Sequence, residues 1–191
     1  MKVIILEGIA TSGKTTVINL IKESLERRKL SCQVIAEEET LMPIVDNVDP
    51  QVSIKHLSKI LTHVFSLDKE ILIFDRLYFT HIFRTNSTVQ MFKPIEDMLS
   101  QHHAYLFFLK IRKEKIEERI FNALKGERSG TNWVNYVRSK GNDRQIVNYY
   151  QNQQDKLLAL LKESEINHQV IEVTNMEFEF VREKILQTLG L

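Results

Sequence analysis

An apolar run, Val3 to Leu6, meets Glu7 and then Gly8-Ile9-Ala10-Thr11-Ser12-Gly13-Lys14-Thr15, after which an apolar stripe of helical period begins. No other feature constrains the fold as tightly. Strand, G-x-x-x-x-G-K-T and helix, in that order, make the phosphate-cradling turn at the head of a βαβ unit. Gly8 and Gly13 admit backbone conformations closed to other residues and let the chain approach a ligand closely. The N–H groups around Ala10, Thr11 and Ser12 then point inward as an anion nest, and the following helix adds the partial positive charge of its N-terminus. Lys14 is spaced to reach the β- and γ-phosphates and the Thr15 hydroxyl to hold Mg²⁺, with Thr16 a further phosphate donor. The expected ligand is a nucleoside triphosphate, read as ATP with Mg²⁺.

The rest of the chain supports a βαβ reading. Compact apolar runs of strand length fall at Lys2–Leu6, Cys32–Ala36, Ile71–Phe74, Tyr105–Ile111 and Gln169–Val173, as expected of strands buried on both faces. Helix-period segments separate them at Lys14–Arg27, Ser53–Phe65, Arg144–Leu161 and Glu177–Leu189. Six glycines and three prolines are too few for a loop-rich all-β fold. A mostly parallel sheet follows. The stretch Gly126 to Asp143, rich in Gly, Ser, Asn and Arg, reads as a mobile connection between two helices.

Several charged residues fall where parallel sheets bind ligands, at the carboxyl ends of strands. The third run ends in Asp75-Arg76: Asp75 is a candidate for the Mg²⁺ water shell, and Arg76 for a phosphate or acceptor clamp. The second ends in Glu37-Glu38-Glu39-Thr40, where one carboxylate can take a proton from an acceptor hydroxyl. Spacing cannot separate Glu38, the first choice, from Glu37. Arg112, Arg119, Arg128, Arg138 and Arg144 fall after the fourth run. Arg128, between Gly126 and Gly130, is the leading candidate to bring positive charge to a moving phosphoryl group, and Arg119 the next.

A formal net charge of +1 supplies no global basic field, so no nucleic-acid partner is expected. The single cysteine, Cys32, excludes an intramolecular disulfide and suits a reducing cytoplasm. The N-terminal apolar run is too short for a signal peptide or a membrane span, so a cytoplasmic protein without a membrane partner is expected.

With these residues in place, the sequence resembles the P-loop nucleoside and nucleotide kinases, specifically the thymidylate kinase and deoxynucleoside kinase group, along essentially its whole length. Glu7-Gly8 through Thr16 matches their opening strand and loop. Asp75-Arg76 stands where thymidylate kinases carry Asp-Arg-Tyr and deoxynucleoside kinases Glu-Arg-Ser, and Arg119-Ile120 resembles the start of their lid region. The resemblance implies a three-layer fold with a five-stranded parallel sheet in the order 2-3-1-4-5, flanked by helices. It further implies one kinase domain over residues 1–191 with an arginine-bearing lid at about 125–143, and the possibility of a homodimer.

Two departures bear on the acceptor. Thymidylate kinases usually carry Arg-Glu-Pro-Gly-Gly after the second strand; here Glu37-Glu38-Glu39-Thr40-Leu41 has neither proline nor arginine. Leu77 replaces their tyrosine after Asp-Arg. Three carboxylates repel an acceptor phosphate, whereas a hydroxyl acceptor can use one as base. The reading is an ATP-dependent kinase acting on a nucleoside-like or other hydroxyl acceptor. The alternatives are a nucleoside monophosphate kinase of thymidylate type and an ATP-binding regulator without catalysis. The chain contains neither D-x-x-G nor N-K-x-D, which counts against a Ras-like switch.

Overall fold

Five strands of the computed structural model pair side by side, all parallel, in the order β2-β3-β1-β4-β5. The structure describes residues 1–126, 131–173 and 175–191. In chain order the elements are β1 (Lys2–Glu7), α1 (Lys14–Arg27), β2 (Cys32–Ile35), α2 (Glu37–Thr40), α3 (Pro50–Phe65) and β3 (Ile71–Asp75). Then come α4 (Tyr78–Thr85), α5 (Lys93–Gln101), β4 (Tyr105–Lys110), α6 (Lys113–Lys125), α7 (Thr131–Arg138), α8 (Asp143–Glu163), β5 (Asn167–Glu172) and α9 (Phe178–Thr188). The strand order is the one the sequence implies.

The three central strands are continuous apolar runs because both their faces are covered. Ile4, Ile5, Leu6, Leu72, Ile73, Phe74, Phe107 and Phe108 are wholly buried. Burying a side chain of this size contributes about 1.5–3 kcal/mol, so burial alone holds the sheet's middle. The edge strands β2 and β5 are more open.

Helix boundaries follow local chemistry. The side chain of Asp49 caps α3 by accepting from the Gln51 N–H at 2.9 Å, and Pro50 takes the first helical position. Asn142 and Gln145 cap α8 reciprocally. Asn86 ends α4 in the left-handed conformation, φ 49°.

Two differences from the sequence reading concern the site. The segment from Gly126 to Asp143 is not a bare connection: it contains α7, whose Val137 is fully buried and whose Trp133 packs partly against the core. The glutamates after β2 form a short helical turn, α2, so successive carboxylates point in different directions. Among the described residues no helix is long and apolar enough to cross a membrane.

Candidate active site

The β1–α1 turn has the geometry its glycines require. Gly8 stands at φ 147° and Gly13 at φ 92°, with Thr11 left-handed at φ 64°. A Cβ on Gly8 would lie 2.6 Å from the Leu109 carbonyl of β4, and one on Gly13 would lie 2.1 Å from the Phe178 ring. The first position is closed by backbone, the second by a side chain. Because Gly13 is the N-cap of α1 and no side chain caps the helix, its first N–H groups stay free to bind an anion. Among the described residues the buried hydroxyls of Thr11 and Ser12 have no hydrogen-bond partner, a further sign of a cradle built for oxygen-rich ligands.

Lys14 is buried, and its Nζ donates to the carbonyls of Gly8 at 3.1 Å and Ile9 at 3.2 Å. Burial, helped by the charge of Arg76, lowers its pKa to about 8 against the opposing pull of Asp75, Glu37 and Glu7. The Thr15 hydroxyl donates to Asp75 Oδ2 at 3.2 Å, while Asp75 Oδ1 is buried with no partner among the described residues. The Thr15 hydroxyl and the Asp75 carboxylate, with its unpartnered Oδ1, fit a Mg²⁺ ion that takes its remaining ligands from water and substrate phosphates. Among the described residues no three His, Cys, Asp or Glu side chains gather into a self-sufficient metal cage.

Register brings the acidic and basic groups together. Leu6 pairs with Asp75 and Ile35 with Phe74, so the chain leaves β1, β2 and β3 at one sheet edge, with Glu7, Glu37 and Arg76 adjacent. Arg76 is left-handed, φ 64°, and its N–H donates to the Leu6 carbonyl at 3.0 Å. That turn carries its side chain back over the sheet end, where Nε donates to Glu37 Oε2 at 3.0 Å and Nη1 makes a long 3.5 Å contact with the Thr80 hydroxyl. Glu7, wholly buried at the end of β1, accepts from the Leu77 N–H at 2.9 Å and from the Thr80 hydroxyl at 3.2 Å. Burial pushes the Glu7 carboxyl above its usual range despite those donors and the nearby Arg76 and Lys14. Burial also works against the Arg76 charge, but Glu37, Glu7 and Asp75 outweigh it and hold the guanidinium above its ordinary value.

No protein-family model matches the chain. Over 98 residues it is 34% identical to a probable thymidylate kinase 1 of Saccharolobus solfataricus, a match covering 42% of this chain and 49% of that protein. The chain thus spans about half the length of the curated relative it matches. Among solved structures it is similar to the YorR protein of Bacillus subtilis in complex with phosphorylated GDP, at TM-score 0.70 and 14% identity over 99% of this chain and 96% of that one. It is also similar to shikimate kinase of Bacteroides thetaiotaomicron, at TM-score 0.59 and 11% identity over 100% and 99%. A third is deoxyadenosine kinase of M. mycoides, at TM-score 0.53 and 15% identity over 100% and 99%. The fold is that of the P-loop kinases.

Within this P-loop kinase fold the candidate residues separate. Glu37 joins Arg76, whereas Glu38 is exposed on the outside of α2 and Glu39 turns back to accept from the Ala36 N–H. Arg119 is buried on α6 and donates to the carbonyls of Thr11, at 3.0 Å, and Val173. These two bonds tie α6 to the phosphate loop and to the residue after β5. Arg128 lies outside the described residues. Arg112 pairs with Glu172 and Arg138 with Asp143, both exposed, and Arg144 is exposed. Tyr78 and Phe79 belong to the core, the Tyr78 hydroxyl donating to buried Glu96 at 2.7 Å, and Gln90 is exposed.

Sequence reasoning gave no role to Glu7, Thr80 or Tyr150. Glu7 carried a signal, being the one charged residue at the end of an otherwise apolar strand. Tyr150, on α8, is 2% exposed with its hydroxyl unpartnered among the described residues, within electrostatic reach of Arg76 and Glu37.

Proposed function

We propose that this protein is a phosphotransferase that moves the γ-phosphoryl group of ATP to a hydroxyl of a small, nucleoside-like acceptor, with Glu37 as general base. The ion pair between Glu37 and Arg76 carries the reading. It holds one carboxylate at the sheet edge beside the phosphate loop, turned inward and half-buried, where an acceptor hydroxyl would approach.

The chain's own groups suffice for the steps. The free N–H groups of the loop and of α1 bind the β- and γ-phosphates, and Lys14 exchanges its carbonyl partners for phosphate oxygens. Thr15 and Asp75 would hold Mg²⁺, which would supply neutralisation of the developing phosphoryl charge. Glu37 accepts the proton of the acceptor hydroxyl as its oxygen bonds to the γ-phosphorus. The bond from that phosphorus to the bridging oxygen breaks, and ADP departs with the electron pair. Arg76 fixes the orientation of Glu37 through Nε, and Arg119 keeps the loop's backbone in place.

The acceptor preference follows from charge. Arg76 is already shared among Glu37, Glu7 and Asp75, so an incoming phosphate dianion would meet three carboxylates and a neutralised guanidinium. A hydroxyl meets no such repulsion. The competing reading, a nucleoside monophosphate kinase, is favoured by the partial likeness to a probable thymidylate kinase. ATP consumption measured over nucleosides, nucleoside monophosphates and unrelated hydroxyl metabolites separates the two: turnover of hydroxyl acceptors supports Glu37 as base, and turnover confined to monophosphates overturns it. Tight ATP binding without turnover of any acceptor would point instead to a regulator.

A further inference from the structure

Beyond the reacting groups, the packing of α4 against α8 brings together a second set of side chains. Thr80 contacts both Arg76 and Glu7, and Arg84 follows one turn later on the same face of α4. Beside it, Phe83 meets the ring of Tyr149 edge-on, centroids 6.1 Å apart, and Tyr149 meets Tyr150 at 5.2 Å. The Tyr136 and Tyr149 hydroxyls are 3.0 Å apart. Lys140 Nζ lies 3.9 Å from the centre of the Tyr136 ring and 4.8 Å from that of Tyr149. Tyr150 links this group to the reacting end, since its unpartnered hydroxyl lies within reach of Arg76 and Glu37.

Among the described residues three cations stand here without a carboxylate: Arg84, Lys140 and Lys156, whose Nζ lies 5.7 Å from the centre of the Phe83 ring. Arg84 is half-buried and close enough to Tyr149 and His81 to bear on the titration of both, yet no described acidic side chain pairs with it. Lys140 has only aromatic faces. His81 adds no charge, because burial first, then Arg84 and His56, push its pKa down to about 4. Desolvating a guanidinium without a counter-charge is unfavourable, and an anion on the ligand offsets that cost. At the inner end Arg76 has its carboxylate, Glu37, so the two ends of this row of side chains differ in charge balance.

We infer that the acceptor carries an anionic group, phosphoryl or carboxylate, at the end remote from the hydroxyl that is phosphorylated, and that Arg84 and Lys140 bind it beside the Tyr136 and Tyr149 hydroxyls. The inference rests on the proposed hydroxyl-kinase reading and specifies its substrate class.

Matched acceptors test it: hydroxy acids against their amides, and nucleosides with and without a phosphate distant from the reacting hydroxyl. The ratio of kcat/KM, anionic over neutral, is expected to exceed one. It should fall about 10- to 100-fold in Arg84→Gln, mainly through KM, as for the loss of a hydrogen bond to a charged group, with partial recovery in Arg84→Lys. A ratio at or below one, or one that Arg84→Gln leaves unmoved, overturns the inference and points to heteroaromatic stacking on the same rings. If no acceptor is phosphorylated, the kinase reading itself fails, and calorimetric titration with inorganic phosphate still decides the subsite. Saturable binding in Lys14→Ala that is lost in Lys14→Ala/Arg84→Gln supports it; equal binding by the two proteins overturns it.

Discussion

Arg76 Nε donates to Glu37 Oε2 at 3.0 Å across 39 positions of sequence, joining the ends of two neighbouring parallel strands in one ion pair. The guanidinium is buried and the carboxylate half-buried, so the pair is shielded from the screening that makes surface bridges weak. Its value lies in orientation: one of three consecutive glutamates is turned inward.

Glu37→Gln is therefore expected to lower kcat by roughly 10²–10⁴ with little change in ATP affinity. Glu38→Gln, on the exposed side of the turn, should change kcat by less than about threefold. Saturating rates of the two variants, measured side by side, check this. A larger loss in Glu38→Gln would move the base to that residue.

Lys14 gives a pH signature. Its folded-state pKa is lowered to about 8, so the ammonium that binds phosphate is lost as pH rises through that value in the free protein. kcat/KM for ATP should fall above about pH 8. kcat itself should hold to higher pH, because bound phosphate restores the charge. Lys14→Ala should abolish turnover while the thermal midpoint shifts only modestly. A kcat/KM profile flat to pH 10 would contradict the assignment.

The two loop glycines should respond differently to a second substitution. Each of Gly8→Ala and Gly13→Ala forces a positive φ on alanine, costing about 1–3 kcal/mol before any collision. At Gly13 the added methyl meets the Phe178 ring, so Phe178→Ala should recover part of the loss. At Gly8 it meets the Leu109 carbonyl, which no side-chain deletion removes. Double-mutant cycles by chemical denaturation read the difference: coupling for Gly13 with Phe178, and none for Gly8 with Phe178.

Asp75→Asn keeps the hydrogen bond to Thr15 but removes the charge on the buried oxygen. The Mg²⁺ concentration for half-maximal rate should rise by about 10- to 100-fold, the range seen when groups supporting a bound metal are altered. Titration with Mg²⁺ at saturating ATP measures it, and an unchanged midpoint would remove Asp75 from the metal site.

The sheet was legible because its strands are short apolar runs with both faces covered, Ile4, Ile5 and Leu6 among them. The phosphate loop was legible because its chemistry is local: two glycines, a lysine and a helix start within eight residues. The arrangement around Arg76 was not. Choosing Glu37 over Glu38 depends on α2 forming a helical turn, and periodicity over four residues cannot reveal that. Arg119 shared the composition of a phosphate-binding arginine, yet burial on α6 directs it to the carbonyls of Thr11 and Val173.

By itself, then, the sequence determined the strands and the phosphate cradle, because hydrophobic burial and backbone sterics act over a few neighbouring residues; the strand order was implied by the family resemblance. Tertiary structure decided which glutamate meets Arg76, which arginine bonds the backbone of the phosphate loop, and that Arg84 and Lys140 both come near Tyr149 with no described carboxylate paired to either. Those depend on strand register and helix rotation, which bring together residues from α2, α4, α7 and α8 that no local pattern connects.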